Sequence, residues 1–145
     1  MRFNVVAIQL VKERTMTYSE AKQITSPDVA ADLLRQYVDG TDRENFMVLC
    51  LNSKNKVTGI NTVSIGSLNS SVVHPREVFK AAILSNAAAI IVGHNHPSGD
   101  PTPSRDDIEM TKRLAEAGKP VGVTIHDHFI IGKHGVTSFA EAGLL

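Results

Sequence analysis

Two apolar runs without polar alternation constrain the fold of this chain more than any other feature. One is Phe46–Leu51, within a predicted strand at residues 45–52, and the other is Ala89–Gly93. A strand that is apolar on both faces must be covered on both sides, so we expect the first to be central in a sheet and the second to be buried. Helical patterns alternate with the predicted strands, which indicates a sheet with helices packed on it.

The other elements follow from hydrophobic periodicity and from the positions of proline and glycine. Ser26 caps a helix that Gly40 ends, polar residues 13–25 predict an exposed connection, and a last helical turn is expected after Ser138. The polar turn before residue 56 predicts a hairpin. We predict further strands at residues 3–12, 56–66, 121–125 and 129–131, and further helices at residues 75–88 and 104–117.

The bulk composition bounds the functional classes. A length of 145 residues suits one domain, residues 1–145. The formal net charge is zero, without the basic excess of a typical nucleic-acid binder, although a local basic patch would escape this count. A single cysteine, Cys50, fits a reducing compartment. No apolar stretch reaches the ~20 residues of a membrane span, and residues 1–11 lack the pattern of a signal peptide. We therefore expect a cytoplasmic protein.

His94 and His96 stand two residues apart at the end of the strand predicted at residues 89–93. In an extended chain, residues i and i+2 point to the same side, so both imidazoles can reach one ion. The loop of residues 97–103 is stiffened by prolines and leads to a helix whose first turn contains Asp107. The sequence therefore predicts a metal site of two imidazoles and one carboxylate.

This ligand set leaves one position open on a four-coordinate zinc ion, which is typical of catalytic zinc. It also suits non-haem iron, so the spacing does not name the metal. Many His-x-His pairs bind nothing, and Ser104-x-x-Asp107 is also a plausible capping box at the helix start. A second pair, His126 and His128, has the same spacing and is an alternative metal site. It could instead form a polar strand end, or hold the ligands of the first site by hydrogen bonds.

The segment of residues 94–107 resembles the signature of the RadC family of bacterial proteins, part of the JAB1/MPN/Mov34 (JAMM) metalloprotease group. Residues 66–80 and 127–132 are also similar to RadC, and the resemblance covers roughly residues 26–145. It implies an α/β fold with a mixed, curved β-sheet flanked by helices in three α-β-α layers, as in cytidine-deaminase-like architectures. The JAMM motif is His-x-His, seven residues, Ser, two residues, Asp, and this chain meets it at His94, His96, Ser104 and Asp107.

The resemblance also implies catalytic residues. The JAMM group has a glutamate at the start of a central strand that acts as general acid and base, and the matching position is Glu44. Glu77 is a rival, but it lies inside a predicted helix. The motif serine, Ser104, would stabilise the oxyanion formed when water attacks a carbonyl. The metal ligands would be His94, His96 and Asp107, and zinc is the expected metal.

Three functions stay open on this evidence. The first is a zinc-dependent hydrolase that acts on a peptide or isopeptide carbonyl of an unknown peptide or protein substrate. The second is a DNA-repair-associated RadC-like protein that acts on or near DNA. Many RadC proteins carry an N-terminal helix-hairpin-helix region, and residues 1–25 are too short for it, so we do not expect direct binding of nucleic acid. The third is a metal-binding interaction domain without catalysis.

Overall fold

A mixed five-stranded sheet forms the centre of the protein. The computed structural model describes residues 1–18, 23–66 and 73–145. In chain order the elements are α1 (Pro27–Tyr37), β1 (Asn45–Leu51), β2 (Val57–Ile65), α2 (Pro75–Leu84), β3 (Ala89–Asn95), α3 (Arg105–Val121), β4 (Thr124–Ile131) and β5 (Val136–Ser138). The strand order is β2-β1-β3-β4-β5, and only the β3–β4 pair is parallel.

Helices cover both faces of this sheet. Every residue of β1 and β3 is buried, because alternate side chains enter two separate apolar clusters. One cluster joins β1 and β3 to α2 and α3, through residues such as Val48, Val92, Phe79 and Leu114. The other joins the opposite face to α1, through residues such as Leu49, Ile91, Phe129 and Leu34. This arrangement confirms the α/β class and the layers of helix, sheet and helix.

Most predicted elements are present, with shifted ends. Ser26 caps α1 by accepting a hydrogen bond from the backbone N–H of Val29, and β1 and β2 form the predicted hairpin. α2 ends at Leu84 rather than at residue 88. α3 does not stop at Gly118, where a Cβ would lie 2.4 Å from the carbonyl oxygen of Val123. Glycine at this position permits close packing, and the helix continues to a left-handed cap at Gly122.

The end of the chain differs from the prediction. The strands predicted at residues 121–125 and 129–131 are parts of a single strand, β4, which spans Thr124–Ile131. The predicted break between them is wrong, and so is the start at residue 121, which still belongs to α3. The short strand β5 was not predicted, because three residues give too little periodicity to recognise. A hydrogen-bonded turn does follow it, in which the N–H of Ala142 donates to the carbonyl of Ser138 over 3.0 Å.

The strand predicted at residues 3–12 is wrong. These residues have no regular structure, and their large apolar side chains are exposed, from 52% for Leu10 to 93% for Val5. Apolar alternation forms a strand only where a neighbour pairs with its backbone groups. Within residues 1–18 and 23–66, pairing before β1 is limited to a bridge between Gln23 and Lys56.

Two sequence interpretations fall partly outside the described residues. These are the exposed connection at residues 13–25, of which residues 19–22 are not described, and the RadC-like stretch 66–80, of which residues 67–72 are not described. In the described ranges, none of the helices has both the length and the hydrophobicity that crossing a membrane requires.

Candidate metal centre

The structure brings His94, His96 and Asp107 together. The Nε2 atoms of the two histidines are 3.0 Å apart. Nε2 of His94 lies 3.3 Å from one carboxylate oxygen of Asp107, and Nε2 of His96 lies 3.4 Å from the other. With metal–ligand bonds of ~2.0–2.1 Å, the edges of a zinc tetrahedron are about 3.3 Å long. Each of these separations is close to such an edge, so the two imidazole nitrogens and the carboxylate can share one ion, and among the described residues only this group could hold a metal ion.

The His94 imidazole ends the buried strand β3 and is itself fully buried. The ring of Phe46 is stacked on it, with centroids 6.1 Å apart and planes inclined by 17°. The neighbouring ring of His128 is stacked in turn on Phe139, at 4.5 Å and 25°. These aromatic contacts fix the planes of both imidazoles and exclude water from one side of the centre.

His96 follows β3 and is held by the loop that begins there. Its backbone N–H donates to the carbonyl of Ile131 in β4, over 3.0 Å. Its ring Nδ1 lies 2.8 Å from the carbonyl oxygen of Asp100. A carbonyl only accepts, so the proton of the His96 ring sits on Nδ1 and the lone pair of Nε2 faces Asp107. The loop thus presents Nε2 in the form that binds a metal.

The same loop is clamped against the end of β4. The N–H of Lys133 donates to the carbonyl of Gly99 over 2.9 Å, and the hydroxyl of Thr137 donates to the carbonyl of Pro101 over 2.6 Å. Gly132 allows this approach, since a Cβ there would lie 2.5 Å from the Gly99 carbonyl oxygen and 2.9 Å from Pro101. The loop is therefore fixed by contacts as well as by its prolines.

Asp107 has two roles that the sequence left as alternatives. Its carboxylate accepts from the backbone N–H of Ser104 over 2.8 Å, while the Ser104 hydroxyl accepts from the N–H of Asp107 over 3.0 Å. This capping box begins α3 and aims the carboxylate at the histidines. Burial raises the pKa of Asp107, but the His94 ring and the Ser104 hydrogen bonds lower it by more. The carboxyl pKa lies well below its usual range, so Asp107 is ionised at neutral pH.

Glu44 lies half-buried just before β1. Phe46 pairs with His94 across the antiparallel strands, so Glu44, two residues before Phe46, lies at the edge of the sheet where His94 and His96 also lie. Asn95 holds this segment in place: its side-chain oxygen accepts from the N–H of Asn45 over 2.8 Å, and its side-chain nitrogen donates to the carbonyl of Arg43 over 2.8 Å. The prediction for Glu44 stays a prediction, and its position is compatible with it.

The rival glutamate lies elsewhere. Glu77 is in the first turn of α2, where its carboxylate forms an ion pair with Lys80 at 2.7 Å. This side chain is 42% exposed. The contact with Lys80 lowers the pKa of Glu77, as does the neighbouring Arg76. Glu77 therefore acts as a surface carboxylate of α2.

The second histidine pair does not form a metal site. Ile90 pairs with Ile125 and Ile91 pairs with Asp127, so His126 is an extra residue in a β-bulge. His126 is exposed and borders a cleft beneath α1. His128 is fully buried on the other face of the sheet, where its Nε2 lies 2.8 Å from Nδ1 of His94. Burial lowers the pKa of His128 well below its usual value, and the nearby His94 acts in the same direction.

Thr111 was missed in the sequence. Its buried hydroxyl donates to the main-chain carbonyl of Asp107 over 2.7 Å and lies 2.6 Å from Nδ1 of His128. The spacing from Asp107 is four residues, which puts both side chains on one face of α3. That spacing was visible in the sequence, but the approach of β4 to this face was not.

The comparisons with known proteins agree with this geometry. A family model described as "RadC-like JAB domain" matches residues 24–144. The chain belongs to the RadC-like JAB domain family. This confirms the resemblance carried by residues 94–107 and its extent of roughly residues 26–145, which includes all the helices and strands described above. The three side chains that converge in the structure are the His, His and Asp of the JAMM motif.

The relatives of this RadC-like chain are bacterial. It is 54% identical over 127 residues to the UPF0758 protein TTE0897 of Caldanaerobacter subterraneus, covering 88% of this chain and 54% of that protein. It is 56% identical over 122 residues to a UPF0758 protein of Moorella thermoacetica, covering 84% and 53%. The chain thus spans about half the length of the curated relatives it matches.

Proposed function

We propose that this chain is a zinc-dependent hydrolase that cleaves a peptide or isopeptide bond. The observation that carries the proposal is the convergence of His94, His96 and Asp107. The two Nε2 atoms are 3.0 Å apart, and they lie 3.3 and 3.4 Å from the two oxygens of the Asp107 carboxylate, separations that suit the ligands of one tetrahedral ion. The His96 side chain is 16% exposed while His94 is buried, so the centre opens to solvent on the side of His96.

The donor set fits zinc. Zinc accepts both imidazole nitrogen and carboxylate oxygen as ligands, and two imidazoles with one carboxylate leave its fourth position for water. When bound, zinc would lower the pKa of this water and polarise the substrate carbonyl. Membership of the RadC-like JAB family supports the same assignment, because its motif supplies these ligands.

In this proposal Glu44 is the general base and acid. Its carboxylate takes a proton from the attacking water and later gives that proton to the leaving amine, so that the carboxylate is restored after each turnover. Asn95 keeps the segment around Glu44 fixed to the end of β3. Glu44 is half-buried and lies at the same edge of the sheet as the two histidine ligands, which supports this role.

Ser104 would stabilise the developing oxyanion. Its oxygen accepts from the Asp107 N–H, and its hydroxyl also interacts with the Asp107 carboxylate. In the proposed role, rotation of the hydroxyl would turn its proton from this carboxylate toward the substrate oxygen. Ser104 is exposed at the start of α3. A substrate carbonyl that reaches the centre from solvent could therefore meet this donor.

The direct test combines metal content with turnover. Purified wild-type protein should bind about one zinc ion per chain, and it should cleave members of a panel of fluorogenic peptides and lysine-linked isopeptides. Glu44→Gln should keep the zinc and lose the cleavage. A wild type that binds no zinc after zinc loading would overturn the metal centre, and a fully active Glu44→Gln would overturn the role of Glu44.

A further inference from the structure

A buried hydrogen-bonded path runs behind the metal centre. Nδ1 of His94 contacts Nε2 of His128 at 2.8 Å, and Nδ1 of His128 contacts the hydroxyl of Thr111 at 2.6 Å. That hydroxyl donates to the carbonyl of Asp107 at 2.7 Å. His94, His128 and Thr111 are each fully buried, so water does not compete for these contacts.

The donor and the acceptor of each hydrogen bond can be assigned by starting from the bond between Thr111 and Asp107. A carbonyl oxygen only accepts, so the single hydroxyl proton of Thr111 is committed to Asp107. The Thr111 oxygen must then accept from His128, which places the ring proton of His128 on Nδ1. In the neutral ring the remaining nitrogen, Nε2, is an acceptor, and it faces Nδ1 of His94. The proton of His94 therefore sits on Nδ1.

We propose that His128 and Thr111 are positioning residues that select the metal-binding tautomer of His94. With its proton on Nδ1, His94 turns the lone pair of Nε2 toward Nε2 of His96 and the Asp107 carboxylate. The inference rests on the metal centre of the proposed function. It adds a reason why both histidine ligands are held in the metal-binding tautomer: the path fixes the His94 proton, and the Asp100 carbonyl fixes that of His96.

A purely structural histidine would not need this arrangement. The two faces of the His128 surroundings that carry no hydrogen bond are aromatic, formed by Phe46 and Phe139. A buried imidazole is stable there only because both nitrogens are hydrogen-bonded. Both partners lead to the centre, one to His94 directly and the other through Thr111 to Asp107. The path thus connects two of the three ligands.

The first test reads the tautomers without any metal. Long-range ¹H–¹⁵N spectra of the zinc-free protein distinguish a protonated from an unprotonated ring nitrogen for each histidine. We expect both His94 and His128 to carry their protons on Nδ1. In Thr111→Val, which keeps the shape and removes the hydroxyl, we expect His94 to lose its single fixed tautomer. A wild-type His94 with its proton on Nε2 would overturn the inference.

The second test measures zinc affinity by competition with a chelator. His128→Phe should weaken zinc binding by ~10–100-fold, the usual cost of removing a partner behind a metal ligand. His128→Gln should recover most of this loss, because its amide oxygen can accept from His94 where Nε2 did. His126→Ala, on the same strand but facing away, is the control and should bind zinc like wild type.

The outcomes separate this inference from the proposed function. A wild type that binds no zinc overturns the metal centre, while the tautomer spectra still decide the role of His128. Wild-type affinity in a folded His128→Phe, with folding checked by circular dichroism, would overturn the inference alone. If His128→Phe does not fold, the tautomer and zinc affinity of Thr111→Val decide the matter, and wild-type values for both would refute the proposal.

Discussion

The pairs His94/His96 and His126/His128 share one spacing and lie on the neighbouring parallel strands β3 and β4. The first pair is at a strand end with regular register, so its two Nε2 atoms come within 3.0 Å. The second pair contains a β-bulge, so one ring is exposed beside α1 and the other is buried behind His94.

The difference shows that a two-residue spacing defines a site only where the strand stays regular. The bulge places one extra residue, His126, between Ile125 and Asp127, and this reverses the alternation of faces that follows. His128 thereby reaches the face that carries α3. One pair supplies ligands, and one member of the other pair supports them.

The largest expected difference between the pairs is in metal binding. His96→Ala removes a ligand and should weaken zinc binding by more than ~100-fold, because losing only an outer partner already costs ~10–100-fold. His126→Ala should leave the affinity unchanged. Competition titration with a chelator measures both, and equal losses in the two variants would contradict the distinction.

The next difference concerns Glu44, the proposed general base of the site that contains His94 and His96. Glu44→Gln should lower the turnover of cleavable peptides or isopeptides by ~10²–10⁴-fold, the typical contribution of general acid and base catalysis. Zinc affinity should not change. Glu77→Gln, on the exposed face of α2, is the matched control, and a greater loss in this control would transfer the role to Glu77.

The third difference is that the first histidine pair is followed by the start of a helix, α3, which Ser104 caps. Ser104→Ala should reduce turnover by ~10²–10³-fold through loss of an oxyanion donor. It should also lower the free energy of unfolding by ~1 kcal/mol, because α3 loses its cap. Ser104→Thr keeps the hydroxyl and should retain both properties. A loss of stability without a loss of turnover would leave Ser104 with capping alone.

The smallest effect tests how the loop after His96 is fixed. Gly132→Ala would put a Cβ 2.5 Å from the Gly99 carbonyl oxygen, and such overpacking typically costs ~1–3 kcal/mol. Gly59→Ala in β2 meets nothing within 4 Å and is the control. Urea unfolding compares the two, and equal stability would show that the loop can move away from β4 freely.

Part of the site could be predicted because its signals are local. His94, His96 and Asp107 were grouped from a strand end, a proline-rich loop and a helix start, and the structure brings them together. The capping pair Ser104–Asp107 was also visible, since a helix start has a short sequence pattern. Capping and metal binding are compatible at Asp107, because one carboxylate oxygen faces His94 while the other accepts from Ser104 and also lies 3.4 Å from His96.

The remaining parts depend on contacts between distant segments. The bulge at His126 follows from how β4 meets β3, and nothing in its own residues marks it. Thr111 and Asn95 are polar residues whose partners, His128 and Arg43, are distant in sequence. The strand expected at residues 3–12 failed for the same reason, since alternation indicates a strand but does not supply its neighbour.

The buried hydrogen-bonded path behind the metal centre limits where protons can be transferred. It starts at His94, passes through His128 and Thr111, and closes on Asp107, whose own carboxylate faces His94 again. The hydrogen bonds end at the main-chain carbonyl of Asp107, which accepts a hydrogen bond but has no proton to release, so this buried path cannot carry a proton to solvent. Any proton that enters or leaves this centre must therefore do so on the side of His96, where the centre is open to solvent. The buried side behind His94 takes no part in proton transfer.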